Sequence, residues 1–151
     1  MTLSKKQLIV KRSTLPSSGK GLFTKVRIPA GTRIVEYLGK ITTWKDANHQ
    51  DGKNGYIYYI SRNHVIDALP KKSAWARYAN DASGMSRKKG ITNNSDYVEH
   101  GRRVYIESKK EIPPGAEILV SYGKEYWDVI RFNTKLQEKE ELAKKKKSAK
   151  R

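Results

Sequence analysis

The chain has 151 residues with 36% hydrophobic content, which allows one domain with a single modest core. Lys and Arg total 32 against 15 Asp and Glu, so the formal net charge of +17 favours polyanions or acidic proteins as partners. Cysteine is absent and only three histidines occur, which excludes disulfides, thiol nucleophiles and cysteine-based zinc sites, and we expect no metal site.

Short runs rich in Val, Ile, Tyr and Phe, bounded by Gly, Pro, Asn or Ser, predict β-strands. In chain order these strands are Gln7–Lys11, Leu22–Val26, Arg33–Leu38, Tyr56–Ile60, Val65–Ala68, Arg103–Glu107 and Glu117–Tyr122. No amphipathic helix separates successive strands, so parallel βαβ units are not expected. The polar, glycine-bearing segments Asp46–Asn54 and Asp81–Asn94 are interpreted as loops. The sequence therefore predicts a mostly β fold.

One turn pattern occurs twice. Ile28-Pro29-Ala30-Gly31 and Ile112-Pro113-Pro114-Gly115 each lead into a predicted strand. Proline presets φ for a turn, and glycine tolerates the positive φ that many turns need. Two such turns are too few to indicate a repeat architecture.

The composition changes after Trp127. Asp128 is suited to cap a helix whose apolar residues share one broad face, namely Val129, Ile130, Phe132 and Leu136. From Lys135 onward the chain is nearly all Lys, Glu, Gln and Ala, so we expect the helix to fray into a disordered basic tail. The predicted organisation is a domain over residues 7–127, followed by a C-terminal helix and lysine-rich tail over residues 128–151.

The segment Gly19-Lys20-Gly21 is the first candidate for ligand binding. Two glycines around one residue let the backbone pass close to a ligand. Thr24 stands where a dinucleotide fingerprint would have its third glycine, and no helix follows, so that motif is excluded. A plain hairpin turn is the alternative interpretation.

Tyrosine is the preferred aromatic residue, with nine tyrosines against two phenylalanines. Seven of them lie in or beside strand-like runs: Tyr37, Tyr56, Tyr58, Tyr59, Tyr97, Tyr105 and Tyr122. One interpretation is that tyrosine is simply a good half-buried strand residue. The other is a pocket of rings with convergent hydroxyls, which suits an alkylammonium group.

The order and spacing of these segments resemble the SET-domain family of protein-lysine methyltransferases, from about Leu8 to Trp127. Gly19–Phe23 is similar to the first motif of the family, and Glu36–Gly39 to its Tyr-x-Gly segment. Further along, Arg77–Ala82 resembles the Arg-Phe-x-Asn-His-Ser motif, Asn94 and Tyr97 resemble the segment just after it, and Glu117–Gly123 resembles the terminal catalytic strand. The match is to a small, stand-alone SET domain.

The resemblance implies a SET-domain fold of short β-sheets in which the C-terminal strand threads through a loop as a pseudoknot. It also implies S-adenosylmethionine as the cofactor, with the methyl donor and the lysine entering a narrow channel from opposite faces. Tyr122 would be the catalytic tyrosine, with Tyr37 and Tyr97 lining the lysine channel. Six residues are implied to contact the cofactor: Gly19, Lys20 and Gly21 through the backbone, Asn80 and Asp81 at its amino-acid part, and Trp127 by packing over it or closing the channel.

The chain departs from the family pattern in four places. Asp81 and Ala82 replace the usual His-Ser, and the stretch Ser83–Thr92 is longer than the usual link. The region between Ile41 and Ala68 is short, which leaves little room for a substrate-recognition insert. No cysteine-rich segment follows the domain.

Two functions from different classes are compatible with these features. The first is an enzyme that methylates a lysine of a protein or peptide, such as a histone or another chromatin protein. The alternative is a catalytically silent SET-like module that binds nucleic acid, chromatin or an acidic partner through its basic surface and tail. Every apolar run is far shorter than the ~20 residues that span a bilayer, so no membrane is expected. With no recognisable secretory signal, the expected location is cytoplasmic, or nuclear in a eukaryote.

Overall fold

Short β-strands joined in antiparallel sheets account for most of the regular structure. The computed structural model describes residues 2–50, 54–84 and 87–149. Its strands are β1 (Leu8–Arg12), β2 (Lys20–Thr24), β3 (Arg33–Glu36), β4 (Lys40–Thr42), β5 (Ile57–Ser61), β6 (His64–Asp67), β7 (Ser95–His100), β8 (Arg103–Ser108) and β9 (Glu117–Ile118). They form three sheets, in the orders β1-β2-β9, β3-β8-β7 and β4-β6-β5. The predicted mostly β fold is therefore confirmed.

All seven predicted strands are present, most of them with ends shifted by one to two residues. Two further strands, β4 and β7, had not been predicted. In β7 the residues Asp96, Glu99 and His100 are polar and exposed. The segment therefore lacks the run of β-branched and aromatic residues by which the other strands were predicted. The strand exists because all six of its residues pair with β8, and this long-range pairing leaves little trace in the local sequence.

The core is built around the central strands of the three sheets, β2, β8 and β6, each of which has a partner on both sides. Leu22 and Phe23 of β2 and Val104 and Ile106 of β8 are buried. Full burial of such a side chain contributes ~1.5–3 kcal/mol. These strands therefore anchor the loops that precede and follow them.

The two Pro-Gly turns predicted from the sequence pair with each other. Ile28 and Ile112, the first residue of each turn, form an antiparallel bridge with N···O distances of 2.8 and 2.9 Å. Both isoleucines are fully buried. Gly31 and Gly115 have φ values of 78° and 85°, which explains the glycine at the end of each turn.

Residues 117–120 lie between two segments that the 81–94 loop connects. The Val120 N–H donates to the Asn80 carbonyl at 2.9 Å, and the Leu119 carbonyl accepts from Asn94 and Ser95 N–H groups at 3.0 Å. This carbonyl and this N–H belong to one trans peptide unit, so they point in opposite directions. The terminal strand thus has the Asn80 segment on one edge and the start of β7 on the other, as a strand threaded through a loop requires.

Residues 1–121 and residues 122–151 form two separate units, and the second contains the helix α1 (Lys124–Ala149). The helix begins at Lys124 and not at the predicted Asp128. It also continues past Lys135, where fraying into a disordered tail had been predicted. Gly123, with φ 91°, precedes the helix and supplies the turn into it. Glu140–Lys144 and Glu141–Lys145 are favourable i, i+4 pairs, and Lys, Glu, Leu and Ala are good helix formers. Among the described residues, no helix has the length and apolar character to cross a membrane.

Candidate active site

Three tyrosine rings from distant parts of the chain meet in a single cluster, here called the tyrosine cluster. Tyr37 follows β3, Tyr58 lies on β5 and Tyr97 on β7. The ring centroids are 6.1 Å apart for Tyr37–Tyr58, 5.8 Å for Tyr37–Tyr97 and 5.3 Å for Tyr58–Tyr97. The two predicted channel residues Tyr37 and Tyr97 are therefore brought together. The resemblance had not included Tyr58 among the site residues, although its spacing from Tyr56 on one strand indicated a shared face.

The hydroxyls of the cluster are oriented by acceptors within the protein. Tyr37 Oη donates to the Tyr56 carbonyl at 2.7 Å, and Tyr58 Oη donates to Glu99 Oε1 at 3.0 Å. A phenol has one proton to donate. Any further hydrogen bond to either oxygen must therefore be one that the oxygen accepts.

Arg77, the first residue of the Arg77–Ala82 motif, contacts residues next to this cluster. Its Nη1 donates to the carbonyls of Ala68 and Leu69, both at 2.9 Å, and its guanidinium lies 4.2 Å from the centroid of the Tyr56 ring. Tyr56 in turn accepts the hydrogen bond from Tyr37. The arginine thus packs on Tyr56, the residue whose carbonyl orients the Tyr37 hydroxyl.

The ionisation of Tyr58 should be visible in an alkaline titration. Burial, then the hydrogen bond to Glu99 and the charge of Glu99, raise the pKa of Tyr58 from 10.0 to about 12. The folded state therefore favours the neutral phenol, so its stabilising contribution is complete below pH 10.0 and is lost as the pH rises towards about 12. We expect the tyrosinate absorbance of the Tyr58→Phe variant to lack a component that titrates near pH 12, whereas Tyr59→Phe retains it. Identical curves for wild type and Tyr58→Phe would contradict this assignment.

The Gly19–Gly21 segment forms the turn and first residues of β2. The Gly19 carbonyl accepts from the Ser13 N–H at 2.8 Å and Gly19 has φ 62°, so the hairpin interpretation is correct for this residue. Gly21 is buried, and a Cβ at this position would overlap the Glu117 carboxylate. The second glycine is therefore required by a close approach inside the protein.

Glu117 is a buried carboxylate that the site prediction missed. Its Oε2 accepts from Ser13 Oγ at 2.7 Å, and its Oε1 accepts from the N–H and Oγ1 of Thr14 at 2.9 and 2.6 Å. These bonds tie β9 to the loop between β1 and β2. A glutamate at the start of the apolar run Ile118-Leu119-Val120 was the only sequence signal for this role.

Asn80 joins two of the predicted cofactor segments. Its Nδ2 donates to the Lys20 carbonyl at 3.0 Å, and its own carbonyl accepts from Val120. Asn80 thus contacts both the Gly19–Gly21 segment and the terminal strand, although Lys20 lies 60 residues earlier in the chain.

The Asp81 carboxylate is turned towards its own loop. It is buried, and its Oδ1 accepts from Ser83 N–H at 2.8 Å, from Ser83 Oγ at 2.6 Å and from Asn93 Nδ2 at 2.8 Å. Asn93 Oδ1 also accepts from Ala82 N–H at 2.7 Å. These bonds close the long loop that follows the motif. Contact of Asp81 with the cofactor stays a prediction.

Asn94 holds the terminal strand through both ends of its side chain. Its Nδ2 donates to the Glu117 carbonyl and its Oδ1 accepts from the Leu119 N–H, both at 2.9 Å. An amide side chain can satisfy two backbone groups of a neighbouring strand in this way. Asn94 therefore fixes residues 117–119 of the terminal strand.

Tyr122 and Trp127 belong to the second unit, residues 122–151. Tyr122 is partly buried, and its ring lies 4.9 Å from the ring of Tyr126 at an interplanar angle of 71°. The side chain of Trp127 lies outside what the structure describes. The catalytic role of Tyr122 and the closing role of Trp127 stay predictions.

Comparison with known proteins gives a consistent result. Residues 19–123 match the family model of the SET domain. The chain is 26% identical over 136 residues to the histone-lysine N-methyltransferase PRDM7 of Homo sapiens. This match covers 86% of this chain and 26% of that protein. The chain is 30% identical over 116 residues to the histone-lysine N-methyltransferase ASHH1 of Arabidopsis thaliana, which covers 72% of this chain and 23% of that protein. The chain thus spans about a quarter of the length of these relatives.

A solved structure gives the same result at the level of the fold. The methyltransferase domain of human PR domain-containing protein 2 superposes with a TM-score of 0.58 and 26% sequence identity. The superposition covers 78% of this chain and 77% of that domain. Here the match extends over most of both chains.

Proposed function

Because the chain belongs to the SET-domain family, we propose that it transfers a methyl group from S-adenosylmethionine to the side-chain nitrogen of a lysine in a protein. The tyrosine cluster is the observation that carries this proposal. It brings Tyr37 and Tyr97 together, and their ring centroids lie 5.8 Å apart. Aromatic faces of this kind bind alkylammonium groups, and the side chain of a lysine is such a group before it loses its proton.

The main obstacle to the reaction is the protonation of the lysine, whose pKa is normally ~10.4. Removal from water next to the positively charged sulfur of the cofactor would disfavour the charged amine and lower its pKa. The hydroxyl protons of Tyr37 and Tyr58 are already donated to Tyr56 and Glu99. Their oxygens can therefore act towards an amine only as acceptors, which orients the amine without protonating it. This arrangement needs no separate strong base.

Three of the residues predicted to hold the cofactor are accessible from the surface: Gly19, Lys20 and Asn80. S-adenosylmethionine carries its methyl group on a positively charged sulfur and so supplies an activated methyl group. The exposed backbone at Gly19 and Lys20 and the partly exposed Asn80 form one continuous region, because Asn80 donates to the Lys20 carbonyl. We propose that Gly19, Lys20, Gly21, Asn80 and Asp81 bind the cofactor here, and that Trp127 covers it.

Tyr122 is proposed to be the catalytic tyrosine. It follows by two residues the Val120 N–H that is bonded to Asn80. The preceding strand is held by Asn94 and by the buried Glu117. If the Tyr122 hydroxyl orients the reacting amine, positioning of this kind can supply up to ~7–11 kcal/mol of a barrier.

The proposed substrate is a lysine of a protein, without further restriction to histones. The names of the two relatives specify histones, but histone tails are basic and a chain of net charge +17 would repel them. We place the reaction in the cytoplasm or, in a eukaryote, in the nucleus. Nucleic-acid binding by a silent module stays a prediction, and the similarity to methyltransferases favours the enzyme.

Transfer of an isotopically labelled methyl group tests the proposal directly. The full chain is incubated with labelled S-adenosylmethionine and a mixture of acidic, neutral and basic lysine-containing proteins. We expect label on lysine, identified by mass spectrometry, and none without the chain. Absence of label on every protein, from a chain shown to bind the cofactor, would rule out protein-lysine methylation.

A further inference from the structure

A cavity of about 360 Å³ adjoins the tyrosine cluster, and Tyr37 lines it. Its apolar wall includes Leu38, Ile41 and Ile66. Ile41 and Tyr58 both lie opposite Ile66 in the antiparallel sheet, so these three side chains share one sheet face. The cavity and the tyrosine cluster are therefore neighbours on the same surface.

The apolar wall is unusually open for side chains of this size. Leu38 is 42% exposed and Ile41 is 55% exposed. Both residues line the same cavity, so the exposed aliphatic surface is concave and adjoins the predicted lysine channel. The aliphatic stem of a bound side chain would remove this surface from water, which favours binding.

The polar part of the lining has an excess of positive charge. The lining contains two arginines, Arg102 in the turn between β7 and β8 and Arg103 at the start of β8, and one carboxylate, Glu36. His64 also lines the cavity, and its Nε2 is enclosed without a hydrogen-bond partner. The cavity therefore combines an apolar wall with two exposed arginines that can bind an anionic group.

We propose that this cavity binds an acidic side chain of the substrate, that of a glutamate two residues from the methylated lysine. The methylenes would contact Leu38 and Ile41, and the carboxylate would pair with Arg102 and Arg103. In an extended peptide, side chains two residues apart share a face and lie ~6.6 Å apart. Tyr37 belongs both to the tyrosine cluster and to the cavity lining, so a peptide with its lysine at the cluster would bring this neighbouring side chain to the cavity.

This inference rests on the proposed function and narrows its substrate class. Arginine binds carboxylates through paired N–H groups, so it suits the partner named here. The net charge of +17 acts in the same direction, because it speeds the encounter with acidic proteins. The preferred substrate would then be a lysine in an acidic segment rather than in a basic tail.

Fluorescence anisotropy with two labelled peptides tests the cavity. Both contain one lysine and one glutamate in a neutral background, and they differ only in whether the glutamate is two residues from the lysine or at the far end. Equal net charge removes long-range attraction as a cause of any difference. We expect the near peptide to bind at least about tenfold more tightly, which corresponds to ~1.4 kcal/mol. Arg102→Glu should abolish this preference, whereas Arg62→Glu, the same change in the exposed turn between β5 and β6, should keep it.

Equal affinities of wild type for both peptides would overturn the proposal, as would an equal loss of preference in both variants. Methylation of the two peptides is measured in parallel. A binding preference without transfer supports the cavity and counts against the proposed function. Transfer to both peptides at equal rates, without a binding preference, supports the function and rejects the cavity.

Discussion

The Tyr122→Phe variant is expected to lose methyl transfer almost completely, with kcat falling by about 10²- to 10³-fold. The substitution keeps the ring, which packs on Tyr126 at 4.9 Å, and removes only the hydroxyl. If that hydroxyl orients the amine during transfer, its loss affects the transition state more than the ground state. Affinity for S-adenosylmethionine should therefore stay within about twofold of wild type. Steady-state kinetics and a separate cofactor titration measure the two effects.

Tyr59→Phe provides the matched control for this prediction. Tyr59 is 53% exposed on β5, next to Tyr58 but outside the tyrosine cluster. Its loss of a hydroxyl should change kcat by less than about twofold. Activity of Tyr122→Phe equal to that of this control would remove Tyr122 from the catalytic role.

The Glu117→Ala variant is expected to lose about 3 kcal/mol of the free energy of unfolding. The change leaves the Ser13 hydroxyl and the Thr14 N–H and hydroxyl without their acceptor. It also opens space beside Gly21, whose missing side chain makes room for the carboxylate. Denaturant unfolding monitored by circular dichroism measures the loss as a shift of the midpoint.

Glu111→Ala is the control for Glu117→Ala, because it removes the same side chain from the surface. The Glu111 side chain is 56% exposed and pairs with Arg27. Exposed ion pairs contribute ~0–1 kcal/mol, so a small change is expected. If both variants lose equal stability, the buried network around Glu117 does not have the assigned role.

Strands and turns could be predicted from the sequence where the residue types of a short segment determine its backbone conformation. Residues 22–26 and 103–107 were predicted as strands because β-branched and aromatic side chains dominate them. The Pro-Gly turns were predicted from the φ preferences of the two residue types. The order of the short motifs then sufficed to indicate the SET-domain family.

Contacts between distant segments could not be predicted in the same way. Tyr58 is oriented by Glu99, 41 residues away, and Glu117 is held by Ser13, 104 residues away. No local pattern specifies such a partner, so neither residue was included among the predicted site residues. The extent of α1 was missed for another reason: the lysine- and glutamate-rich composition that indicated disorder also has high helix propensity.

Calorimetric titration of the full chain with S-adenosylmethionine, alongside Asn80→Ala, tests the central claim most directly. The variant removes the bond from Asn80 to the Lys20 carbonyl, which joins the two proposed cofactor segments. We predict saturable one-to-one binding by the wild type and at least about tenfold weaker binding by the variant, a difference of ~1.4 kcal/mol. Absence of binding by the wild type at millimolar cofactor would contradict the claim that this chain is an S-adenosylmethionine-dependent methyltransferase.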